Sequence, residues 1–174
     1  IMMKKISESN KLAWEQAYER SPDTYKNIAD GLRYSPKQFL NPLFEKAVEN
    51  IDLKDKDVAQ LACNNGREIL AIQRVYGCNV VHGFDIAENM IKDATHTASK
   101  LHQNAHFHAV DVKEIDTSFN QSFDVVVIMI GALVWFQDLN DIIGTASRLL
   151  KSNGHLIIVD GHPITWMFAF EGEA

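Results

Sequence analysis

Clustered basic residues are scarce in this sequence. Its 17 Lys and Arg are outnumbered by 23 Asp and Glu, giving a net charge of −6. A nucleic-acid phosphate track needs grouped cations, so no nucleic-acid partner is expected. Long apolar runs are missing too: none approaches the ~20 residues that span a bilayer, and the N-terminal stretch lacks the apolar core of a signal peptide. No membrane partner is expected. Cysteine is limited to Cys63 and Cys78, too few for a disulfide framework and not in a CxxC pair. Both have apolar neighbours and read as buried thiols in a reducing cytoplasm. Internal repeats, low-complexity tracts and linkers are also absent. What remains is ordinary: 174 residues, 46% hydrophobic, enough for one domain with its own core.

The pattern along the chain changes near Ile51. Before it, the sequence reads as helical. Leu12, Ala13, Trp14, Ala17 and Tyr18 predict an amphipathic helix over Asn10–Arg20, stopped by Ser21-Pro22-Asp23. A second helix is expected from Thr24 to about Tyr34, a short third from Pro36, and another from Pro42 with Leu43, Phe44, Ala47, Val48 and Ile51 on one face. After Ile51, strand and helix alternate. Strands are expected at Asp57–Leu61, Asn79–Phe84, Ala105–Val110, Asp124–Met129 and Gly154–Asp160, with helices at Arg67–Tyr76, Glu88–Gln103 and Leu139–Leu150. Runs such as Val125-Val126-Val127-Ile128-Met129-Ile130 do not alternate, as expected of strands covered on both faces. The expected fold is therefore α/β: a doubly wound, mainly parallel, Rossmann-like sheet with helices on both faces and a helical N-terminal lead-in. Fourteen residues follow Asp160, too few for another crossover and two more strands. The expectation is a chain that stops early, after its fifth strand. As domains, 1–174 reads as one unit: 1–40 lead-in or lid, 41–163 ligand-binding core, 164–174 an incomplete C-terminal part.

The stretch Leu61-Ala62-Cys63-Asn64-Asn65-Gly66-Arg67-Glu68 reads as a strand, a tight turn and a helix start. Free N–H groups at such a helix N-terminus favour an anionic ligand group. Neither G-x-G-x-x-G nor G-K-[ST] is present, which disfavours a dinucleotide pyrophosphate and a P-loop; a smaller anion such as an amino-acid carboxylate suits the turn better. Nineteen residues after Gly66, at the end of the second strand, stands Asp85, placed to accept hydrogen bonds from a ribose diol. Asp111-Val112 follows the third strand, with a carboxylate and an N–H that could read an adenine edge. Met129-Ile130-Gly131 ends the fourth, where glycine permits close approach. Each feature alone is more often a cap or a turn; four successive strand ends together point to an adenosine-type ligand.

With those segments in place, the chain resembles the class I S-adenosylmethionine-dependent methyltransferases of the small Rossmann-like type, from about Phe39 to Pro163. The likeness includes Gly83-Phe84-Asp85-Ile86-Ala87-Glu88-Asn89-Met90-Ile91, Phe123-Asp124-Val125-Val126-Val127 and Arg148-Leu149-Leu150-Lys151-Ser152-Asn153-Gly154-His155-Leu156. The resemblance implies S-adenosyl-L-methionine as cofactor. Ala62, Cys63, Asn64, Asn65 and Gly66 would hold its methionine part, Asp85 the ribose hydroxyls, and Asp111 with Val112 the adenine. Ile86 would pack on the adenine ring, with Met129 and Ile130 near the sulfonium. It also implies an N-terminal lid, for which Trp14, Tyr18 and Tyr25 are candidates; an aromatic face attracts a sulfonium cation. The chain departs from the family's loop in that Ala62 and Asn64 replace two glycines and Gln60 stands where an acid is common. Asn tolerates a left-handed backbone, whereas Ala62 adds a methyl group where ligand and backbone approach.

No catalytic residue is assigned. In-line methyl transfer depends mainly on proximity and alignment, so the expected function is methyl transfer to a small-molecule acceptor, the alternative being a non-catalytic protein that keeps the fold. His162 is a weak candidate base, and Trp135-Phe136 a candidate substrate wall. His102, His106 and His108 lack acidic or cysteine partners at ligand spacing, so no metal is expected.

Overall fold

The alternating half of the chain folds as its rhythm dictates. The computed structural model describes residues 2–20, 27–162 and 164. The expected stop at Ser21-Pro22-Asp23, the start of the second helix and the lid candidate Tyr25 lie outside the described residues. Strands β1 (Val58–Leu61), β2 (Val81–Asp85), β3 (Ala105–Ala109), β4 (Phe123–Ile128) and β5 (Leu150–Ile158) form one sheet in the order β3-β2-β1-β4-β5. Every pairing is parallel. Helices α4 (Arg67–Tyr76), α5 (Glu88–Lys100) and α6 (Leu139–Leu149) make the crossovers. The chain winds outward from β1 to β3, then returns to place β4 on the other side of β1. That reversal opens a crevice beyond the carboxyl ends of β1 and β4.

Two apolar clusters sandwich the sheet. Val58, Val81, Val125 and Val127 meet Ile69, Leu70 and Ile72 of α4 on one face, together with Ile28 and Leu32 of α2 (Ile28–Tyr34) and Phe44 of α3 (Pro42–Ala47). Ala59, Leu61, Phe84, Val126 and Ile128 meet Ile142, Ala146 and Leu149 of α6 on the other. The central strands β1 and β4 are buried nearly throughout, which is why they carry no alternation.

Several boundaries differ from the sequence reading. Helix α1 spans Met2–Arg20, starting eight residues before the expected Asn10. The helix from Pro42 stops at Ala47; Phe44 and Val48 are buried, but Leu43 is 60% exposed, because so short a helix buries only a narrow stripe. Helix α5 ends at Lys100, and His102 turns the chain with φ 53°. Strand β5 starts at Leu150, ahead of the expected Gly154, through an irregular register between Phe123 and Val125. Its opening is fastened by the Lys151 ammonium, 3.1 Å from Asp57 and 2.9 Å from Asp124.

The histidines sort in an unexpected way. His106 and His108 on β3 meet His82 on β2, where His82 Nδ1 lies 3.0 Å from His108 Nε2; His102 is not among these contacts. Phe84, Phe119 and Phe123 surround the group. Burial, then the neighbouring His108 and His106, lower the His82 pKa to about 4. Among the described residues no three His, Cys, Asp or Glu side chains are placed to hold a metal ion, and no helix is long and apolar enough to cross a membrane.

Candidate functional site

The turn after β1 is shaped by its backbone. Ala62, Asn64 and Gly66 all take left-handed conformations, with φ of 52°, 53° and 71°. Asn64 supports this shape with its own side chain, whose Oδ1 accepts from Asn65 N at 2.7 Å. Gly66 is required twice over. Its φ favours glycine, and a Cβ there would lie 2.4 Å from the Phe107 ring. Gly83 is needed for space, since a Cβ would meet Cys63 Sγ at 2.7 Å. Cys63 and Gly83 are therefore a packing pair beneath the turn.

Asp85 ties this turn to the end of β2. Its Oδ2 accepts from Asn64 N at 2.7 Å and its Oδ1 from Ala87 N at 2.9 Å. Each oxygen keeps lone-pair capacity for a further donor. The side chain is buried, and that burial pushes its carboxyl pKa upward; the backbone donors, Ala87 first, pull the other way. Asp111 caps a short 3-10 turn over Val112–Glu114 by accepting from Lys113 N, with the Lys113 ammonium 3.8 Å away. Beyond β4, Asp160 fastens the loop by accepting from Gly131 N at 2.9 Å and from Leu133 N at 3.1 Å. Gly131 has φ 87° and open space around it, so backbone conformation alone asks for glycine there.

These strand ends enclose a cavity of about 630 Å³, within the ~300–1,000 Å³ usual for small-molecule sites. Of the expected site residues, Ala62, Asn64, Asp85, Ile86, Asp111, Val112, Met129 and Ile130 line it. Cys63, Asn65 and Gly66 are not among the lining residues. Cys63 and Asn65 are buried, and the Asn65 amide is 3.4 Å from Asp93, so this pair shapes the turn from behind. His162 is exposed and outside the lining; its Nδ1 accepts from Ile164 N.

Helix α1 forms the opposite wall. Ile6, Asn10 and Trp14 line the cavity with Trp135 and Phe136. Trp14 meets Trp135 edge-on at 5.2 Å, and the Asn10 amide donates to the Trp135 carbonyl at 3.1 Å. Lys11 pairs with Glu88, Glu15 accepts from Glu88 N, and the Asn89 amide donates to the Glu15 carbonyl. Tyr18 does not line the cavity but hydrogen-bonds Asp93. Four charged lining residues were given no site role by the sequence reading: Arg67 and Glu68 at the start of α4, Lys113 after β3 and Asp141 on α6. Nor were Ile6 and Asn10, although their four-residue spacing to Trp14 marks one helix face.

The parallel β3-β2-β1-β4-β5 sheet, with a cavity beyond the strand ends, defines a Rossmann-like fold. A family model described as "Methyltransferase domain" matches residues 52–168. The chain belongs to that family and has the fold of the class I S-adenosylmethionine-dependent methyltransferases. Solved structures share the fold. The PH0226 protein of Pyrococcus horikoshii OT3 is 26% identical with a TM-score of 0.55, over 72% of this chain and 63% of that one. The YcgJ protein of Bacillus subtilis is 22% identical with a TM-score of 0.59, over 69% and 49% respectively. Geranyl diphosphate C-methyltransferase of Streptomyces coelicolor A3(2), in complex with Mg2+, geranyl diphosphate and S-adenosyl-L-homocysteine, is 18% identical with a TM-score of 0.59, over 74% and 47%. This chain spans less than two thirds of the length of each of these structures. No curated protein matches it.

Proposed function

We propose that the protein transfers a methyl group from S-adenosyl-L-methionine to a small-molecule acceptor. The observation that carries this reading is the convergence of Asp85, Asp111-Val112 and Met129–Gly131 on one cavity beside the turn of residues 62–66. The donor set suits the cofactor: a buried carboxylate with spare lone pairs for ribose hydroxyls, a carboxylate and backbone for an adenine edge, and apolar Ile86 and Val112 for the ring. When bound, the cofactor supplies a methyl group already activated on a sulfonium. This chain's residues then have to hold the reactants in line and exclude water. Met129 and Ile130 border the reacting centre in this reading. Trp14 and Trp135 offer aromatic faces to a cation, and α1 closes the cavity.

In this reading residues 41–163 are the cofactor-binding core and residues 1–40 the lead-in or lid that packs beside it. The acceptor is taken to be small and largely apolar because Ile6, Trp14, Val134, Trp135 and Phe136 are among the residues that line the cavity. Two buried free thiols, Cys63 and Cys78, suit a reducing cytoplasm. A neighbour from Haloferax volcanii is found in complex with the Trm112 methyltransferase activator, so a protein partner is the competing outcome.

The second reading, a non-catalytic protein that keeps the fold, is favoured by one feature: Ala62 holds a left-handed φ of 52° and puts a methyl group on the cavity wall. Calorimetry with S-adenosylmethionine and S-adenosylhomocysteine separates the cases. Binding of both, with methyl transfer to an apolar acceptor, is the expected result. Absence of binding to folded protein would sink the methyltransferase reading, and binding without transfer would favour the second.

A further inference from the structure

Gln60 is an anomaly at the centre of the sheet. It sits on β1 with no exposed surface. The alternation of the strand puts it on the same face as Val58, against the cluster built on α4. An amide there displaces an apolar side chain, yet only half of it is hydrogen-bonded. Its Nε2 donates to Glu68 Oε2 at 3.0 Å. Its Oε1 is buried without a partner among the described residues. Turning the amide over would press that oxygen against a carboxylate, so the orientation is fixed by Glu68. An unmade buried hydrogen bond costs stability, and the arrangement gains nothing for the core. It does hold the Glu68 carboxylate in one place.

That place is on the cavity wall. Glu68 lines the main cavity, and with Met129 and Ile130 it also borders a smaller one of about 240 Å³. Its other oxygen, Oε1, lies 3.6 Å from Arg67 Nε. A negative and a positive group thus stand side by side where α4 begins. The remaining charged lining residues sit elsewhere: Asp111 with Lys113 after β3, Asp85 at the end of β2, and Asp141 on α6. The free N–H groups and positive dipole end of α4 favour a carboxylate and repel a cation. A zwitterionic amino-acid tail therefore needs a separate anion for its ammonium, close to the same helix turn.

We propose that Glu68 recognises the α-ammonium group of the cofactor's methionine part, with Gln60 as the positioning residue that aims it. The inference rests on the adenosyl-methionine reading of the cavity. Arg67 and the α4 N-terminus serve the neighbouring carboxylate. The site then selects the amino-acid tail by its charge pattern rather than by close contact with a glycine-rich turn.

The test measures binding of three ligands by calorimetry: S-adenosylhomocysteine, its analogue lacking the α-amino group, and 5′-methylthioadenosine, which lacks the whole amino-acid tail. The unmodified protein should bind the deamino analogue at least about 10-fold more weakly than S-adenosylhomocysteine, the scale of a lost charge-assisted hydrogen bond. Glu68→Gln should erase most of that preference and leave methylthioadenosine affinity unchanged. Gln60→Leu should weaken S-adenosylhomocysteine without affecting methylthioadenosine, which a merely structural role would not do. A preference that is the same in wild type and Glu68→Gln overturns the proposal and returns Glu68 to the smaller cavity. So does an equal loss for both natural nucleosides. No ammonium preference in the unmodified protein overturns it even if the variants fail to fold. If the unmodified protein binds none of the three ligands, the cofactor reading itself fails and this proposal falls with it.

Discussion

The two walls of the cavity are built on different principles. The cofactor wall hangs on consecutive strand ends of one sheet. Asp85 bridges the turn after β1 and the start of α5 through two backbone N–H groups at 2.7 and 2.9 Å, and Phe107 fills the space under Gly66. The lid wall is a separate helix held by side chains. Its contacts include the Trp14–Trp135 pair, Asn10 on the Trp135 carbonyl, the exposed Lys11–Glu88 pair, and Glu15 with Glu88 N and the Asn89 amide. Contacts from a buried carboxylate to backbone N–H groups at strand ends are fixed by folding, whereas surface ion pairs contribute little and weaken with salt. On the function proposed above, the contrast implies a preformed cofactor half and an adjustable acceptor half.

The largest expected effect comes from Gly66→Ala. The methyl group would meet both a left-handed φ and the Phe107 ring, so unfolding free energy should fall by about 3 kcal/mol or more. Chemical denaturation measures it. A loss below about 0.5 kcal/mol would mean the cofactor wall is as adjustable as the lid, on the scale of an ordinary surface change.

Next is acid. The raised Asp85 pKa means that its carboxylate picks up a proton before an ordinary Asp does. A ligand that donates to the carboxylate prefers the ionised form. Cofactor affinity should therefore be full at neutral pH and fall as pH drops, with a midpoint above the ordinary value of 3.8. Glu88 moves the other way: the Lys11 hydrogen bond holds its pKa below the usual 4.5. The stability it contributes is present above 4.5 and is lost only as pH falls through its lowered value. The cofactor wall should fail first on acidification, with the clasp still closed. Calorimetric titrations of S-adenosylhomocysteine against pH read the first, and Asp85→Ala, weakened by about 1–3 kcal/mol at neutral pH, should lose the pH dependence. Equal affinity for Asp85→Ala would remove that residue from the site.

A smaller change is expected from the lid. Trp14→Ala should cost about 0.5–1.5 kcal/mol through the lost aromatic pair. It should appear as a raised KM for the acceptor, with S-adenosylhomocysteine affinity changed less than by Asp85→Ala. A cofactor loss as large as that of Asp85→Ala would erase the distinction between the walls. The smallest change is a gain. Ala62→Gly should relieve the left-handed strain and raise stability by about 0.5–1 kcal/mol, read as a higher denaturation midpoint. A fall instead would mean that the methyl group of Ala62 contributes to packing.

How far the sequence foretold this molecule follows the same division. Strand positions, the parallel sheet and the gathering of Asp85, Asp111, Met129 and Ile130 around one cavity were legible because strand ends carry local signals: an apolar run, then a turn residue with a defined chemistry. The lid was only half legible. Trp14 and Trp135 meet across 121 residues of chain, and no local pattern encodes that pairing. Cys63 and Asn65 lie in the right segment, but the Asn64 turn and the close approach of Gly83 direct them away from the cavity. Glu68 was hidden for a related reason: it reads as an ordinary acidic residue in a first helical turn until Gln60 is seen buried behind it. The early start of β5 depended on Lys151 reaching Asp57 and Asp124, which is a contact between distant segments.

The most direct measurement is a crystal structure of the protein with S-adenosylhomocysteine. The account predicts ribose hydroxyls on the Asp85 carboxylate, the adenine edge at Asp111 and Val112, and the amino-acid tail over the turn of residues 62–66. A ligand bound away from these strand ends, or an adenosine group that leaves Asp85 untouched, would contradict it.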